Sequence, residues 1–178
     1  MPEPAPRALQ AGLSAEMGLG VAFTAYTSMV ATIAADVAYA PGESWSPEVS
    51  GRAGMLASLP SRISIDEVDV WPAGYAARVD GCGGLRASSA RLRACGSVVA
   101  GALTGDGIED DTLVALGARL EATWRASPRV GLFVAVDALS VVRPLWVRTQ
   151  PGDLLAMGSD EISDLSLLFT SGSNFDWL

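Results

Sequence analysis

Between Leu9 and Phe23 the side chains alternate without a break. Odd positions carry Leu9, Ala11, Leu13, Ala15, Met17, Leu19, Val21 and Phe23, and even positions carry Gln10, Gly12, Ser14, Glu16, Gly18, Gly20 and Ala22. A period of two puts successive side chains on opposite faces of a strand. It also decides how to read Met17–Ala35, an uncharged run of 19 residues bracketed by Glu16 and Asp36. A run of that length spans a bilayer as a helix. This one holds Gly18, Gly20, Thr24, Thr27, Ser28 and Thr32, has acidic flanks, and lacks an anchoring Arg. The alternation continues into it, so it divides into two strands around Tyr26–Ser28.

The pattern recurs along the chain. Met29, Ala31, Ile33, Val37 and Tyr39 oppose Thr32 and Asp36, and Pro41-Gly42 ends that strand. Val49, Ala53, Met55 and Ala57 oppose Glu48, Ser50, Arg52 and Ser58. A fourth strand is expected over residues 63–79, with its phase interrupted near Pro72 by a bulge or an edge. A fifth sets Leu92, Ala94, Val98 and Ala100 against Arg91, Arg93, Cys95 and Ser97. A sixth sets Val114, Leu116, Ala118, Leu120 and Trp124 against Arg119, Glu121, Thr123 and Arg125. Ser127-Pro128 turns into a seventh, residues 130–146, where Val130, Leu132, Val134 and Val136 oppose Gly131, Ala135 and Asp137. An eighth is faint over residues 162–169. No helical segment competes.

The face compositions separate the all-β architectures. A soluble sandwich covers its wet face with Lys, Glu, Thr and Gln. Here the polar face mixes a few Arg and acids with Gly, Ala and Ser, and the chain has no Lys. The apolar face runs for about 10 residues per strand, against a usual strand of ~5–6. Tilted strands of ~9–11 residues cross a bilayer. An antiparallel up-and-down β-barrel of about eight strands, apolar outside and polar inside, leaves no unpaired edge. Its narrow lumen is filled by small residues and paired charges. With a periplasmic N-terminus, the connections at Pro41-Gly42-Glu43, 80–84 and Ser127-Pro128 fall on the periplasmic side and are short, as they should be. The opposite side receives 105–111 and the long stretch 149–161.

Composition excludes several function classes. The 178 residues are 49% hydrophobic and 18% charged, with mean hydropathy +0.31. That is one domain, read as a Pro-rich linker over residues 1–7 and a single barrel over 8–178. A net charge of −8 leaves no basic stripe for nucleic acid. The absence of His removes imidazole bases and His-ligated metals. The acidic, Pro-rich start lacks the basic and apolar regions of a secretion signal.

Several motifs carry a family resemblance. They are Asp69-Val-Trp-Pro-Ala, Cys82, Leu92-Arg-Ala-Cys95, Gly101-Ala-Leu, Leu116-Gly-Ala-Arg-Leu and Val142-Arg-Pro-Leu145. Over about Ala8 to Arg148 the chain resembles uncharacterised outer-membrane β-barrel proteins of high-GC myxobacterial genomes. In that group a cysteine pair flanks one hairpin, and a Pro-Leu motif ends a late strand. The resemblance implies an outer-membrane barrel of a Gram-negative bacterium without known enzymatic activity. The chain departs from the group at its end, Asn174-Phe-Asp-Trp-Leu178, where such barrels finish on a terminal aromatic.

Cys82 and Cys95 lie on the two arms of one expected hairpin, 13 positions apart. Antiparallel pairing brings such residues within disulfide reach, and a periplasm-facing site is oxidising. The alternative is two unrelated thiols. Two Cys without His complete no metal shell, and Cys-x-x-Cys is absent, so neither metal nor cofactor is expected. The inward charges Glu16, Asp36, Glu48, Arg52, Arg91, Arg93, Arg119, Glu121, Arg125 and Asp137 are expected to meet in the lumen as a charge network. Buried charges must be paired, so the network reads as a plug; an Arg-lined anion pore is the alternative. The acidic stretches around Asp106–Asp111 and Asp153–Asp164 do not fit an EF-hand and read as a solvated face. The five Trp lie near expected strand ends, where membrane barrels place aromatic rims.

The sequence thus points to a structural, anchoring or surface-interaction role. The expected partners are membrane lipid or lipopolysaccharide and an envelope protein. A soluble or periplasmic calycin-like barrel with an apolar ligand inside is the second reading. In that barrel Leu116, Leu120, Leu132 and Val134 point inward. No nucleophile–base arrangement suggests an enzyme.

Overall fold

The computed structural model describes residues 9–21, 27–41, 45–58, 63–65, 68–70, 73–104, 111–142, 146–150, 153–156 and 165–176. The linker expected over residues 1–7, Trp71, Trp177 and most of the acidic stretches lie outside them. Twelve strands follow in chain order: β1 (Leu9–Val21), β2 (Thr27–Tyr39), β3 (Ser46–Ser58), β4 (Ile63–Ile65), β5 (Val68–Val70), β6 (Ala73–Arg86), β7 (Ala90–Thr104), β8 (Asp111–Arg125), β9 (Val130–Val141), β10 (Trp146–Gln150), β11 (Asp153–Ala156) and β12 (Leu165–Asp176). Eight of them close a barrel in the order β1-β12-β9-β8-β7-β6-β3-β2, every pair antiparallel. The all-β up-and-down barrel is the observed fold. The other four strands form the hairpins β4–β5 and β10–β11 within two long connections.

Five expected boundaries move. The fourth barrel strand is β6, and residues 63–70 belong to a separate hairpin rather than to its first half. The interruption near Pro72 thus separates two elements; it is not a bulge within one. Residues 80–84 are no turn. Gly81 and Gly83 face outward with nothing near a β-carbon, and the strand runs on to Arg86 before turning at Ala87–Ser89. Gly84 faces inward where a β-carbon would lie 2.1 Å from the Leu92 carbonyl oxygen, so only glycine lets β6 and β7 approach there. The seventh barrel strand stops at Val141, and Trp146 opens β10. The faint eighth strand is β12. It starts three residues later than expected, runs to Asp176, and pairs with both β9 and β1 to close the barrel.

The barrel strands are 12–15 residues long, enough to cross a bilayer with tilt. Their outward faces are apolar. Met17, Ile33, Val49, Met55, Val79, Leu120, Leu132 and Phe169 are all exposed. Tyr39, Trp45, Trp124 and Phe175 gather outward at the short-turn end, as an interfacial aromatic rim does. Trp45 holds a left-handed backbone (φ 40°), a costly conformation for a residue with a β-carbon.

Cys82 and Cys95 are direct cross-strand partners on β6 and β7, both buried on the lumenal face, and they form a disulfide. It closes a loop of about 14 residues. Replacing both residues by serine is expected to lower the unfolding free energy by about 2–3 kcal/mol, measured by urea titration. An unchanged midpoint would mean that hairpin pairing alone sets this register. Unreduced protein should weigh two hydrogens less than reduced protein.

Candidate functional site

Alternation fixes what the lumen contains. Because β1 sends even positions inward and β8 odd ones, Glu16, Arg119 and Glu121 meet although 103 residues separate Glu16 from Arg119 in sequence. Arg119, 1% exposed, is the hub. Its Nη2 donates to Glu16 Oε2 and, at 3.1 Å, to Glu121 Oε2, and its Nη1 donates to Asp137 Oδ2 at 3.1 Å. Arg52 lies 3.3 Å from Glu16 and 3.2 Å from Glu121. Arg93 pairs with Glu121 and reaches Ser50 Oγ at 3.4 Å.

Two further residues complete this network, and the sequence reading omitted both. Arg78 Nε donates to Asp80 Oδ1 at 2.8 Å, while its Nη2 donates to Asp137 and, at 2.9 Å, to Ser97 Oγ. The network therefore holds four arginines (52, 78, 93, 119) and four carboxylates (16, 80, 121, 137) and is neutral. Phe133 was also missed. Its ring lies 5.7 Å from both the Arg52 and the Arg119 guanidinium carbons, so two cations pack against one buried aromatic. Parity was the available signal: Phe133 shares the face of Gly131, Ala135 and Asp137.

The remaining expected charges stand apart. Arg91 Nε lies 3.0 Å from Glu48 Oε2, nearer the short-turn end. Asp36 is buried and inward, with its Oδ2 unpartnered among the described residues. Arg125 is exposed at the last position of β8, away from the central network.

Towards the long connections the lumen changes character. Val30, Leu56, Ala76, Val99, Leu113, Ala115, Leu139 and Leu168 all face inward there and pack into one buried apolar cluster. The lumen is thus stratified, with apolar contacts beneath the long connections and paired charges below them. In the central network each carboxylate is engaged by at least one guanidinium, which holds charge in place and leaves no free base. Among the described residues no group of three or more Cys, Asp or Glu is placed to hold a metal ion.

The carrier reading required Leu116, Leu120, Leu132 and Val134 inside. All four face outward, Leu120 with 65% of its surface exposed. That finding corrects the second sequence reading, because the apolar face is the exterior.

No protein-family model matches the chain, and no curated protein matches it in sequence. Solved structures match its fold. Ail, the attachment invasion locus protein of Yersinia pestis, crystallised with the heparin analogue sucrose octasulfate, is similar with TM-score 0.53 and 8% identity; the match covers 96% of this chain and all of that one. Neisserial surface protein A is similar with TM-score 0.49 and 11% identity over 96% of this chain and 98% of that one. The fold is that of the Gram-negative outer-membrane eight-stranded β-barrels.

Proposed function

We propose that this chain is an outer-membrane anchor with a plugged lumen that presents its long connections at the cell surface for interaction with envelope or external partners. One observation carries the reading: a closed barrel whose outward face, among the described residues, is uncharged and mostly apolar while its buried charges face in. In water that arrangement would expose a belt of large side chains far beyond an ordinary monomer's patch. In hydrocarbon a closed ladder pairs the backbone groups of the barrel strands, and the lumenal charges stay out of the lipid.

The plug favours anchoring over conduction. A neutral ion-pair network fills the middle of the barrel, and the apolar cluster adds a layer of side chains that offer an ion no ligands. The long connections supply the interacting surface. Residues 59–72, 105–111 and 142–164 carry eleven acids against three arginines, which accounts for the whole net charge of −8. Such a surface attracts cationic partners, or anionic ones bridged by divalent cations, and repels polyanions. Ail was crystallised with a polyanion, so the similarity supports the anchoring fold and not that ligand. The kinship to myxobacterial barrels suggested by the motifs belongs to this same reading.

The test is electrophoretic mobility of the outer-membrane fraction with and without boiling, followed by planar-bilayer recording. Expected are a mobility shift on boiling and no reproducible single-channel steps. Recovery in the soluble fraction without a shift would overturn the membrane assignment. Steps that disappear in Arg119→Ala would overturn the plug.

A further inference from the structure

The stretch Gly81-Cys-Gly-Gly84 sets β6 against β7 with almost no side chains to hold the pairing. On the outer face Gly81 stands between Gly51 and Gly96, and Gly83 between Val49 and Ala94. Register is weakly specified where a strand is rich in glycine. A slip of two residues would leave every side chain on its own face, so alternation does not forbid it. It would move Arg78 and Asp80 two places along β7, away from Ser97, to which Arg78 donates. One contact here tolerates no slip: Cys82 and Cys95, direct cross-strand partners, are joined covalently.

The position of that bond also fixes when it can be made. Both cysteines face the lumen and are 6% exposed. Their other cross-strand neighbours, Ser50 and Arg119, are buried as well. Towards the short-turn end the lumen holds Arg93, Glu48, Arg91 and Gln10, all buried. The cleft at that mouth encloses about 20 Å³, room for a water, which needs roughly 10–15 Å³, and for no thiol reagent. On the other side stand the Arg119 network and the apolar cluster. Among the described residues neither end leaves a passage to the sulfurs, and a protein oxidant is far too large to enter.

We propose that the Cys82–Cys95 disulfide is a register clamp, made on the unfolded chain by thiol–disulfide exchange with a periplasmic protein disulfide before the barrel closes. The periplasmic source rests on the outer-membrane reading above; the order of events does not. In the exchange one cysteine thiolate attacks the oxidant's disulfide and releases one oxidant thiolate. The other cysteine thiolate then attacks the mixed disulfide and releases the second. Two electrons pass to the oxidant, and the two protons given up by Cys82 and Cys95 end on its two thiols. Only 13 positions separate the cysteines, so the loop closes at low entropic cost ahead of any long-range pairing. β6 and β7 then enter assembly already aligned, and their barrel neighbours β3 and β8 add to a fixed template.

The experiment follows thiols by maleimide-polyethylene-glycol gel shift in the full chain, folded in dodecyl maltoside micelles or unfolded in urea. Dithiothreitol should reduce the folded barrel roughly a thousandfold or more slower than the unfolded chain, because reduction waits for the rare unfolded molecule. Chain reduced first and then folded should keep both thiols in oxidised glutathione, while the unfolded chain loses them. A reduced chain that never reaches the cold-SDS folded band places oxidation before closure in the same way. Folded and unfolded rates of the same order, for reduction or for oxidation, would overturn the proposal. Cys82→Ser/Cys95→Ser should reach the folded band several-fold more slowly than the parent; an equal rate and yield would overturn the clamp. If that variant does not fold, Gly83→Val is added, since a β-carbon there meets nothing within 4 Å and a side chain beside Ala94 supplies a register signal. Recovery of the folded band would support the clamp, and no recovery would assign the disulfide to packing alone. A soluble chain without a mobility shift on boiling would strike the membrane reading, and the reduction rates would still test the order.

Discussion

Arg119→Leu should lower the unfolding free energy by about 3–5 kcal/mol, the usual penalty for removing one partner of a buried ion pair. The magnitude follows from what stays behind. Glu16 keeps Arg52 at 3.3 Å and the Thr170 hydroxyl at 3.5 Å, Asp137 keeps Arg78, and Glu121 keeps Arg52 and Arg93. A neutral set of eight groups becomes one with an uncompensated negative charge in a site that water does not reach. Phe133 also loses one of its two cations. Tryptophan-monitored urea titration in vesicles reads the loss directly. Arg119→Lys should cost less, roughly half as much, because it keeps the charge and loses the fork that engages three carboxylates. Adding Glu121→Gln to Arg119→Leu restores neutrality and should recover part of the loss, a coupling that a double-mutant cycle isolates. If Arg119→Leu unfolds within about 0.5 kcal/mol of the parent, as an ordinary surface change would, the network does not hold the lumen together.

The barrel was legible in the sequence because its signal is local. Leu9 to Val21 needs only a period of two to reveal both its faces, and the same holds for Val114 to Trp124. Seven such stretches, too long for sandwich strands and too apolar for wet ones, together with a faint eighth, leave few closed arrangements. Parity then identified Glu16, Arg52, Arg93, Arg119, Glu121 and Asp137 as sharing the interior, and the structure places them in contact. What escaped was whatever local chemistry disguised. Gly81-Cys-Gly-Gly has turn composition, so β6 was cut short at Val79, and Asp80 was assigned to a loop although it lies deep in the lumen. Arg78 fell on the expected strand but had no visible partner once Asp80 was taken away. In β12 the run Thr170-Ser-Gly-Ser-Asn174 carries no apolar alternation, so the expected strand ended at Phe169. Its small residues are what a tightly curved closing strand needs: a β-carbon at Gly172 would lie 2.2 Å from the Ala15 carbonyl oxygen. The apolar cluster under the long connections was hidden for a different reason. Leu56, Leu113 and Leu168 break the polar-inside rule near strand ends, and only the three-dimensional register shows that they meet.

Leu120→Arg should destabilise the barrel in a phospholipid bilayer by about 2–4 kcal/mol, whereas Leu9→Arg should cost only about 0–1 kcal/mol. Both side chains point outward and are more than half exposed. They differ in depth. Leu120 sits in the middle of the crossing, with Ala94 and Val136 as its cross-strand neighbours, while Leu9 opens β1 beside Tyr39 at the aromatic rim. A guanidinium at Leu120 must drag water into the hydrocarbon or bend its stem towards a distant headgroup. At Leu9 the same group reaches the interface within its own length. A soluble barrel makes the opposite forecast, since an Arg replacing an exposed Leu in water costs almost nothing at either position and improves solubility. Urea titration of both variants in vesicles, read by tryptophan fluorescence, therefore measures the solvent of the outer face and not merely the fold. Equal small losses at the two depths would mean that no hydrocarbon surrounds the barrel. A loss at Leu120 several times that at Leu9 would mean that the alternation of side chains from Leu9 onward is an adaptation to a bilayer.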